Sequence, residues 1–317
     1  MPKTVVTGGA GFIGSHIGEA LAKAGHQVVL IDNLDDYYSP DHKRRNVACV
    51  LAAPGASFVK ADVTDLGAMR EIISRDVDYV FHEAAQPGVR FSVKDPFKPN
   101  NVNVIGTLNV LQASLEAGVK RVVNASSSSV YGKAEYLPFD EGHPTQPISP
   151  YGVSKLAAEH YCRVFHEVYG ISVVSLRYFS VYGPRMRPDL AISLFTRKLM
   201  NNEVIQVFGD GTQTRDFTHI DDIVKANMKL LTVDKADGKA INVGAGNAIS
   251  VNDLVRHLGE IIGVKPEVAY IGKQKGETEH TLADCGLGQR LIGFTPDIDI
   301  RTGLEAFVRW QRDNLTG

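Results

Sequence analysis

Tyr151 and Lys155, in the run Ser-Pro-Tyr-Gly-Val-Ser-Lys from Ser149, stand four residues apart, so on a helix they share a face and can act as one acid/base unit. A free phenol titrates at about 10 and is a poor base at neutral pH unless its anion is stabilised. Lys155, together with a second positive charge in the cleft, could supply that stabilisation. Bringing the value to about 7 takes roughly 4 kcal/mol in favour of the anion, within reach of two cationic groups in a dry cleft. Ser127, in the serine run 126 to 129, could bond the same substrate hydroxyl and hold its oxygen in line. Taken singly, these residues read as a surface tyrosine, a solvated lysine and a serine-rich turn. Together they fall at the carboxyl ends of expected strands or on the adjoining helix, where open parallel sheets bind ligands.

A cofactor site is legible further upstream. Thr-Gly-Gly-Ala-Gly-Phe-Ile-Gly-Ser-His follows the first expected strand and opens a helix, and it contains Gly8-x-x-Gly11-x-x-Gly14. Positions without side chains let the backbone approach a pyrophosphate, which the helix N-terminus stabilises with free N–H groups and its dipole. Asp32 ends the second expected strand and is placed to accept hydrogen bonds from a ribose diol. A carboxylate there repels a 2′-phosphate and so favours NAD over NADP. Asp62, after the third strand, is a candidate for the adenine, with a helix cap for the segment from Asp65 as its alternative role.

The elements that must carry these residues recur in a rhythm. Thr4 to Thr7, Gln27 to Ile31, Ser57 to Lys60, Tyr79 to His82, Arg121 to Ala125 and Ser172 to Leu176 are predicted strands, with helical periodicity between them. That alternation predicts an α/β fold, a doubly wound parallel sheet of the Rossmann kind covered on both faces. Residues 1–177 form the expected NAD-binding domain. After Gly183 the rhythm loosens, with helical stretches at 191–201, 250–262 and 302–314 and few short strands. Residues 178–317 are therefore expected to form a smaller α/β substrate-binding lobe, with a return to the first lobe over about 218–247.

At 317 residues the chain can build two lobes with real cores, and 44% apolar content is ordinary for a soluble enzyme. The 34 basic and 36 acidic side chains nearly balance, which points to neither a nucleic-acid surface nor a membrane partner. The N-terminal run enters a strand with no charged leader before an apolar stretch, so a cytoplasmic location is expected. Cys49, Cys162 and Cys285 lie far apart and are expected as buried thiols; no metal site and no disulfide framework is supported.

Over essentially its whole length the chain resembles the extended short-chain dehydrogenases/reductases of the nucleotide-sugar epimerase and dehydratase group. The resemblance is carried by Thr-Gly-Gly-Ala-Gly-Phe-Ile-Gly, Asp32-Asn33, His-Glu-Ala-Ala-Gln from His82, Asn103-Val-Ile-Gly-Thr and Ser-Ser-Val-Tyr-Gly ending at Gly132. Tyr151 with Lys155, Arg-Tyr-Phe-Ser-Val-Tyr-Gly-Pro-Arg from Arg177 and Gly-Asp-Gly-Thr-Gln-Thr-Arg-Asp-Phe from Gly209 complete it. It implies a tightly held NAD contacted by Phe12, Ile13, Asn33, Val63, Ala84 and Asn103 besides the residues above. It further implies Tyr151 as base, Lys155 on the nicotinamide ribose, Ser127 as hydroxyl partner, Arg215 on the diphosphate of a sugar nucleotide, and a homodimer. In that dimer the stretches 97–117 and 150–169 would pair with their copies as a four-helix bundle; Val104, Leu108 and Leu111 fit the helical period, which core packing within one subunit explains equally well.

Enzymes of this group begin by oxidising carbon 4 of the sugar and differ in the step after it. The 4,6-dehydratases carry a carboxyl acid and base just after the catalytic Ser or Thr, and the uronate decarboxylases usually carry Glu directly before Val-Tyr-Gly. Here those positions are Ser128 and Ser129. The remaining chemistry is hydride removal and hydride return, which is epimerisation. Asp-Asn-Leu-Asp-Asp-Tyr-Tyr from Asp32, Ala-Ala-Gln-Pro-Gly-Val-Arg ending at Arg90, and Arg-Pro-Asp-Leu-Ala from Arg187 are similar to UDP-glucuronate 4-epimerases, as is the hydroxyl residue Ser180. A row of hydroxyls at Ser127 to Ser129 and Ser180 could bind a carboxylate through neutral donors. Where the group usually has Arg before Gly276 the chain has Gln274, flanked by Lys273 and Lys275, so the diphosphate contact is expected to shift to Lys273 or Arg185. Thr281 stands where these epimerases gate substrate bulk, and its size leaves N-acetylated sugars open. UDP-glucuronate/UDP-galacturonate is the expected pair, with UDP-glucose/UDP-galactose as the alternative. A non-catalytic NAD-binding regulator would be favoured by loss of Tyr151 or Lys155, and both are present.

Overall fold

A computed structural model of the chain describes residues 1–273, 276 and 278–315; Gln274 and Lys275 lie outside the described residues. The β-branched runs form strands β1 (Lys3–Thr7), β2 (Gln27–Asp32), β3 (Ala56–Lys60), β4 (Tyr79–His82), β5 (Arg121–Ser127) and β6 (Val173–Tyr178). After β7 (Ser180–Tyr182), β8 (Ile205–Phe208) and β9 (Thr214–His219) comes β10 (Ala240–Val243), which returns to the first set. The resulting parallel sheet has the order β10-β6-β5-β4-β1-β2-β3. Helix Phe12–Lys23 packs against Pro40–Leu51 and Ile220–Lys229, while Leu66–Ile72 packs against Gly106–Ala117 and that helix against Pro150–Tyr169. Val5, Val6, Val80 and Phe81 are consequently buried to 0% exposure, as expected for strands covered on both faces.

The chain enters the sheet at β1, builds outward to β3, then crosses back to β4 on the other side of β1. That reversal leaves a crevice at the carboxyl ends of β1 and β4, where such sheets take their ligands. A second region holds a sheet of β7 and β9 with β11 (Ala248–Ser250), and a pair formed by β8 and β12 (Val268–Ile271). Among the described residues no helix is long and apolar enough to cross a membrane.

Three local features differ from the sequence expectations. β5 and β6 run on to Ser127 and Tyr178, because the ladder pairs backbones and continues through Ser126 and Ser127 whatever their side chains. The expected single helix over 97–117 is split into Phe97–Pro99, a wider π-helical stretch Asn100–Ile105, and Gly106–Ala117; Pro99 has no N–H for a regular ladder. Of the three thiols expected to be buried, Cys162 is, Cys285 is half-buried, and Cys49 is exposed. Helix Pro40–Leu51 turns Lys43, Asn46, Val47 and Val50 inward, which leaves Cys49 on its outer face.

Candidate active site

The glycine turn between β1 and helix Phe12–Lys23 is built so that side chains could not replace its glycines. Gly8 has φ +66°, and a Cβ there would lie 2.6 Å from the Ala84 backbone nitrogen; a Cβ on Gly14 would lie 2.3 Å from the Gly8 carbonyl oxygen. No side chain caps Gly11 at the helix N-terminus, so the first amides remain available to an anion. Gly8, Gly11, Phe12, Ile13 and Gly14 form one wall of a cleft whose floor and far side include Asp32, Asn33, Asp62, Val63, Ala84, Tyr151 and Lys155. This cradle fits a dinucleotide: backbone donors for a pyrophosphate at the glycine turn and the Asp32 carboxylate on the same cleft for a ribose.

Asp32 accepts a hydrogen bond from the Leu34 amide at 2.8 Å and lies 3.5 Å from Lys43 Nζ. Lys43 also lines the cleft, with its ammonium 5.0 Å from the Tyr38 ring centroid. Asp62 accepts from Asn33 Nδ2 at 2.8 Å and from the Thr64 amide and hydroxyl, while the cap of the next helix is Asp65. Of its two expected roles, Asp62 therefore has the place on the cleft wall. Asn103 stands behind that wall: it holds the Gln86 backbone through both ends of its amide and donates to Ser154 at 2.9 Å, tying the turn after β4 to the helix that bears Tyr151.

Helix Pro150–Tyr169 starts where its sequence requires. The Ser149 hydroxyl accepts from the Gly152 amide at 3.1 Å, and Pro150 occupies the first turn, where no N–H is missed. One turn apart, Tyr151 and Lys155 both face the cleft. Lys155 Nζ donates to the Ala125 carbonyl at 2.7 Å, and burial brings its pKa down to about 8. Burial pushes the Tyr151 phenol upward, opposed by a hydrogen bond with Ser127 and the charge of Arg187. Behind these groups, Glu159 accepts a two-pronged ion pair from Arg177 at 2.9 and 2.8 Å and a short hydrogen bond from Ser126. Arg177 also donates to the Tyr131 hydroxyl, which donates to Asn242 on β10. This buried network locks β5, β6, β10 and helix Pro150–Tyr169 together.

The hydroxyl row continues from the end of β5. Ser127 Oγ accepts from the Ser129 amide at 3.2 Å and lies 3.1 Å from Ser129 Oγ, with Ser128 opening the short 3-10 turn Ser128–Val130. Ser127 pairs with Tyr178 across the sheet, two residues before Ser180 on β7. Arg187 lines the same cleft, ion-paired to Asp189 at 3.0 Å and 5.5 Å from the Tyr37 ring centroid.

The remaining residues expected toward the substrate are more dispersed. Arg90 lies over the Phe208 ring at 4.3 Å, Arg215 Nη1 donates to the Thr214 and Glu279 carbonyls, and exposed Lys273 pairs with Glu279 at 2.8 Å. Thr281 is buried and accepts from the Asp216 amide at 3.2 Å. Arg185 points elsewhere. With φ +64° it turns away from the cofactor cleft to pair with Glu19 at 2.7 Å and bond His16, in a separate hollow against helix Phe12–Lys23. Sequence reasoning did not single out Lys43, Tyr37, Tyr38, Glu83 or Tyr178, all of which line the cleft.

Comparison with known proteins agrees with this geometry. The chain is 38% identical over 315 residues to the UDP-glucuronate 4-epimerase of Thermodesulfobacterium geofontis, covering 98% of this chain and 96% of the relative. It is also 38% identical over 314 residues to a putative UDP-glucose 4-epimerase of Methanocaldococcus jannaschii, covering 98% of each. A solved UDP-glucuronic acid 4-epimerase from Bacillus cereus, in complex with UDP-glucuronic acid and NAD, superposes with a TM-score of 0.94 at 35% identity, over 98% of this chain and 99% of that one. The model of one family matches residues 4–244, a span that includes the glycine cradle, Asp32 and the helix bearing Tyr151 and Lys155, so the chain belongs to the NAD dependent epimerase/dehydratase family.

Proposed function

We propose that the protein is an NAD-dependent UDP-sugar 4-epimerase and that its sugar pair is UDP-glucuronate/UDP-galacturonate. The observation that carries the reading is the row of hydroxyls at the end of β5: Ser127 and Ser129 lie 3.1 Å apart, and Ser128 and Ser129 stand where dehydratases and decarboxylases of the group place carboxylates. NAD, when bound, accepts and returns the hydride. The chain's own part is to take the proton from the 4-hydroxyl at Tyr151, to hold that oxygen with Ser127, and to let the 4-keto sugar turn over between the two transfers. Oxidation at carbon 4 of a glucuronate makes a β-keto acid, so the site must also hold the carboxylate out of alignment with the new carbonyl. Neutral hydroxyls at Ser128, Ser129 and Ser180 suit that task. We assign the cofactor to residues 1–177 with the return over 218–247, and the sugar nucleotide to 178–317, with Arg90, Arg187, Arg215, Lys273 and Thr281 toward the substrate. A reducing compartment suits three free thiols and this chemistry, and we place the enzyme in the cytoplasm.

The purified protein is expected to carry NAD without added cofactor, because a cycle with no net redox change gains nothing from releasing it. A panel of UDP-glucuronate, UDP-glucose and UDP-N-acetylglucosamine, read by product separation, should give the C4 epimer of UDP-glucuronate in highest yield. Turnover of UDP-glucose alone would move the reading to the neutral sugar, as the Methanocaldococcus jannaschii relative's name suggests. No turnover of any of them with NAD bound would leave a binding protein.

The chain is further proposed to act as a homodimer through helices of 97–117 and 150–169. Leu111 is fully buried, Leu108 packs on the same core and Val104 is half-buried, so the free face is a different one. It comprises Ile105, Val153, Val164 and Val168, of which Val153 and Val168 are 54% and 65% exposed. Apolar side chains at that exposure along one helix suit burial against a second copy. Sedimentation at about micromolar concentration should give twice the chain mass; the mass of one chain would reject the dimer.

A further inference from the structure

Glu83 is a carboxylic acid directly after an apolar strand, in the wall of the cofactor cleft. Its position is dictated by the sheet. His82 pairs with Asn124 in the β4–β5 ladder, so the next residues, Glu83 and Ala125, leave the strands side by side, and the Ala125 carbonyl is the one that holds Lys155 Nζ. The Glu83 backbone N–H donates to Thr7 at 3.1 Å, which fixes the residue against β1. From β6 the Tyr178 hydroxyl donates to Glu83 Oε1 at 3.0 Å, and that hydroxyl is itself positioned by Asn227 Nδ2 at 2.8 Å from helix Ile220–Lys229. The carboxylate is thus held by one hydrogen bond, on a backbone pinned to β1.

We propose that Glu83 is a positioning residue whose negative charge sets the pH range in which the Tyr151–Lys155 unit works. The charged and titratable groups around it are few. Lys155 and Tyr151 line the same cleft from their helix and Tyr178 bonds Glu83 from β6, while helix Ile220–Lys229 presents the uncharged Asn227. Its own strand contributes His82, bonded on both ring nitrogens by Thr7 and Thr107 and kept neutral by burial, with a pKa brought down to about 3. Cys162 and Glu159 also act on Lys155, but burial keeps the thiol protonated and Glu159 is consumed by Arg177; Arg187, paired with Asp189, acts on Tyr151. Burial pushes Glu83 up to about 7, against the pull of Tyr178 and Lys155. Above that value the carboxylate raises the pKa of both neighbours: it keeps Lys155 an ammonium to higher pH and delays ionisation of Tyr151. One charge thus moves both edges of the working range in the same direction, toward alkaline pH.

The inference deepens the proposed reaction and rests on it for its kinetic readout, so the test carries a second readout that does not. Glu83→Gln keeps the size of the side chain and an acceptor for Tyr178 while removing the charge. With lysines labelled by carbon-13 at Cε and the Lys155 signal assigned by Lys155→Arg, its NMR titration midpoint in Glu83→Gln should fall by about one pH unit. The bell-shaped turnover profile should shift to lower pH on both limbs. Tyr178→Phe, which withdraws the hydrogen bond favouring the carboxylate, should shift the Lys155 midpoint in the same direction by less. A Lys155 midpoint that stays in place in Glu83→Gln overturns the inference, whatever the change in rate, because a merely structural role would not move it. If the parent protein turned over no UDP-sugar, the epimerase reading would fail while the lysine titration still decided the role of Glu83.

Discussion

Replacing Tyr151 with Phe is expected to lower UDP-sugar turnover by two orders of magnitude or more, about the reach of a lost general base, while folding and bound NAD stay as in the parent. The separation of effects arises from the contacts that hold the helix. Its start depends on Ser149 and Pro150, and its register on the sheet depends on the Lys155 bond to Ala125 and the Glu159–Arg177 pair; the phenol oxygen takes part in none of these. Phe keeps the ring and loses only the proton-accepting oxygen. Lys155→Ala, by contrast, removes a buried cation from the cleft wall and should weaken NAD as well. Turnover by single-turnover and steady-state assay, with nicotinamide content measured after denaturation, separates the two variants. Near-normal turnover in Tyr151→Phe would end the mechanism.

The sheet and its catalytic helix were legible because each rests on a local signal. β-branched runs between helical stretches dictate a parallel sheet, and Ser-Pro before Tyr151 is a helix start whose cap and missing N–H need no distant partner. The glycine run and Asp32 were readable for the same reason: the constraint lies in backbone approach at positions close in sequence. The features that sequence did not show arise where distant segments meet. Lys43 reaches Asp32 only because helix Pro40–Leu51 folds back over the strand end, and nothing in its spacing announces that. Arg185 sits in a motif next to substrate-side residues, yet its positive φ sends the side chain toward Glu19. Asn103 lies in a π-helical stretch that an apolar periodicity of 3.6 cannot distinguish from ordinary helix, and it braces the cleft from behind. Glu83 stands in the His-Glu-Ala-Ala-Gln run, but nothing local in the sequence assigns it a role.

The hydroxyl row gives the sharpest expectation about the sugar. Ser180 begins β7, half-buried and paired with Phe217, so its backbone is fixed by the sheet and its hydroxyl can be removed without moving the strand. If Ser128, Ser129 and Ser180 hold the C6 carboxylate, Ser180→Ala deletes one hydrogen bond to a charged group, worth about 1.5–3 kcal/mol. The specificity constant for UDP-glucuronate should then fall roughly 10- to 150-fold. UDP-glucose, which has no carboxylate, should lose much less, so the ratio of the two constants is the measurement that matters. A looser carboxylate also lets more of the β-keto intermediate align its carbon 5 to carboxyl bond with the carbonyl and lose carbon dioxide. A UDP-pentose by-product should therefore rise alongside the fall in epimer, and both can be followed in one chromatographic run. An equal loss on both substrates with no pentose would assign Ser180 to the nucleotide or the fold and would return UDP-glucose to first place.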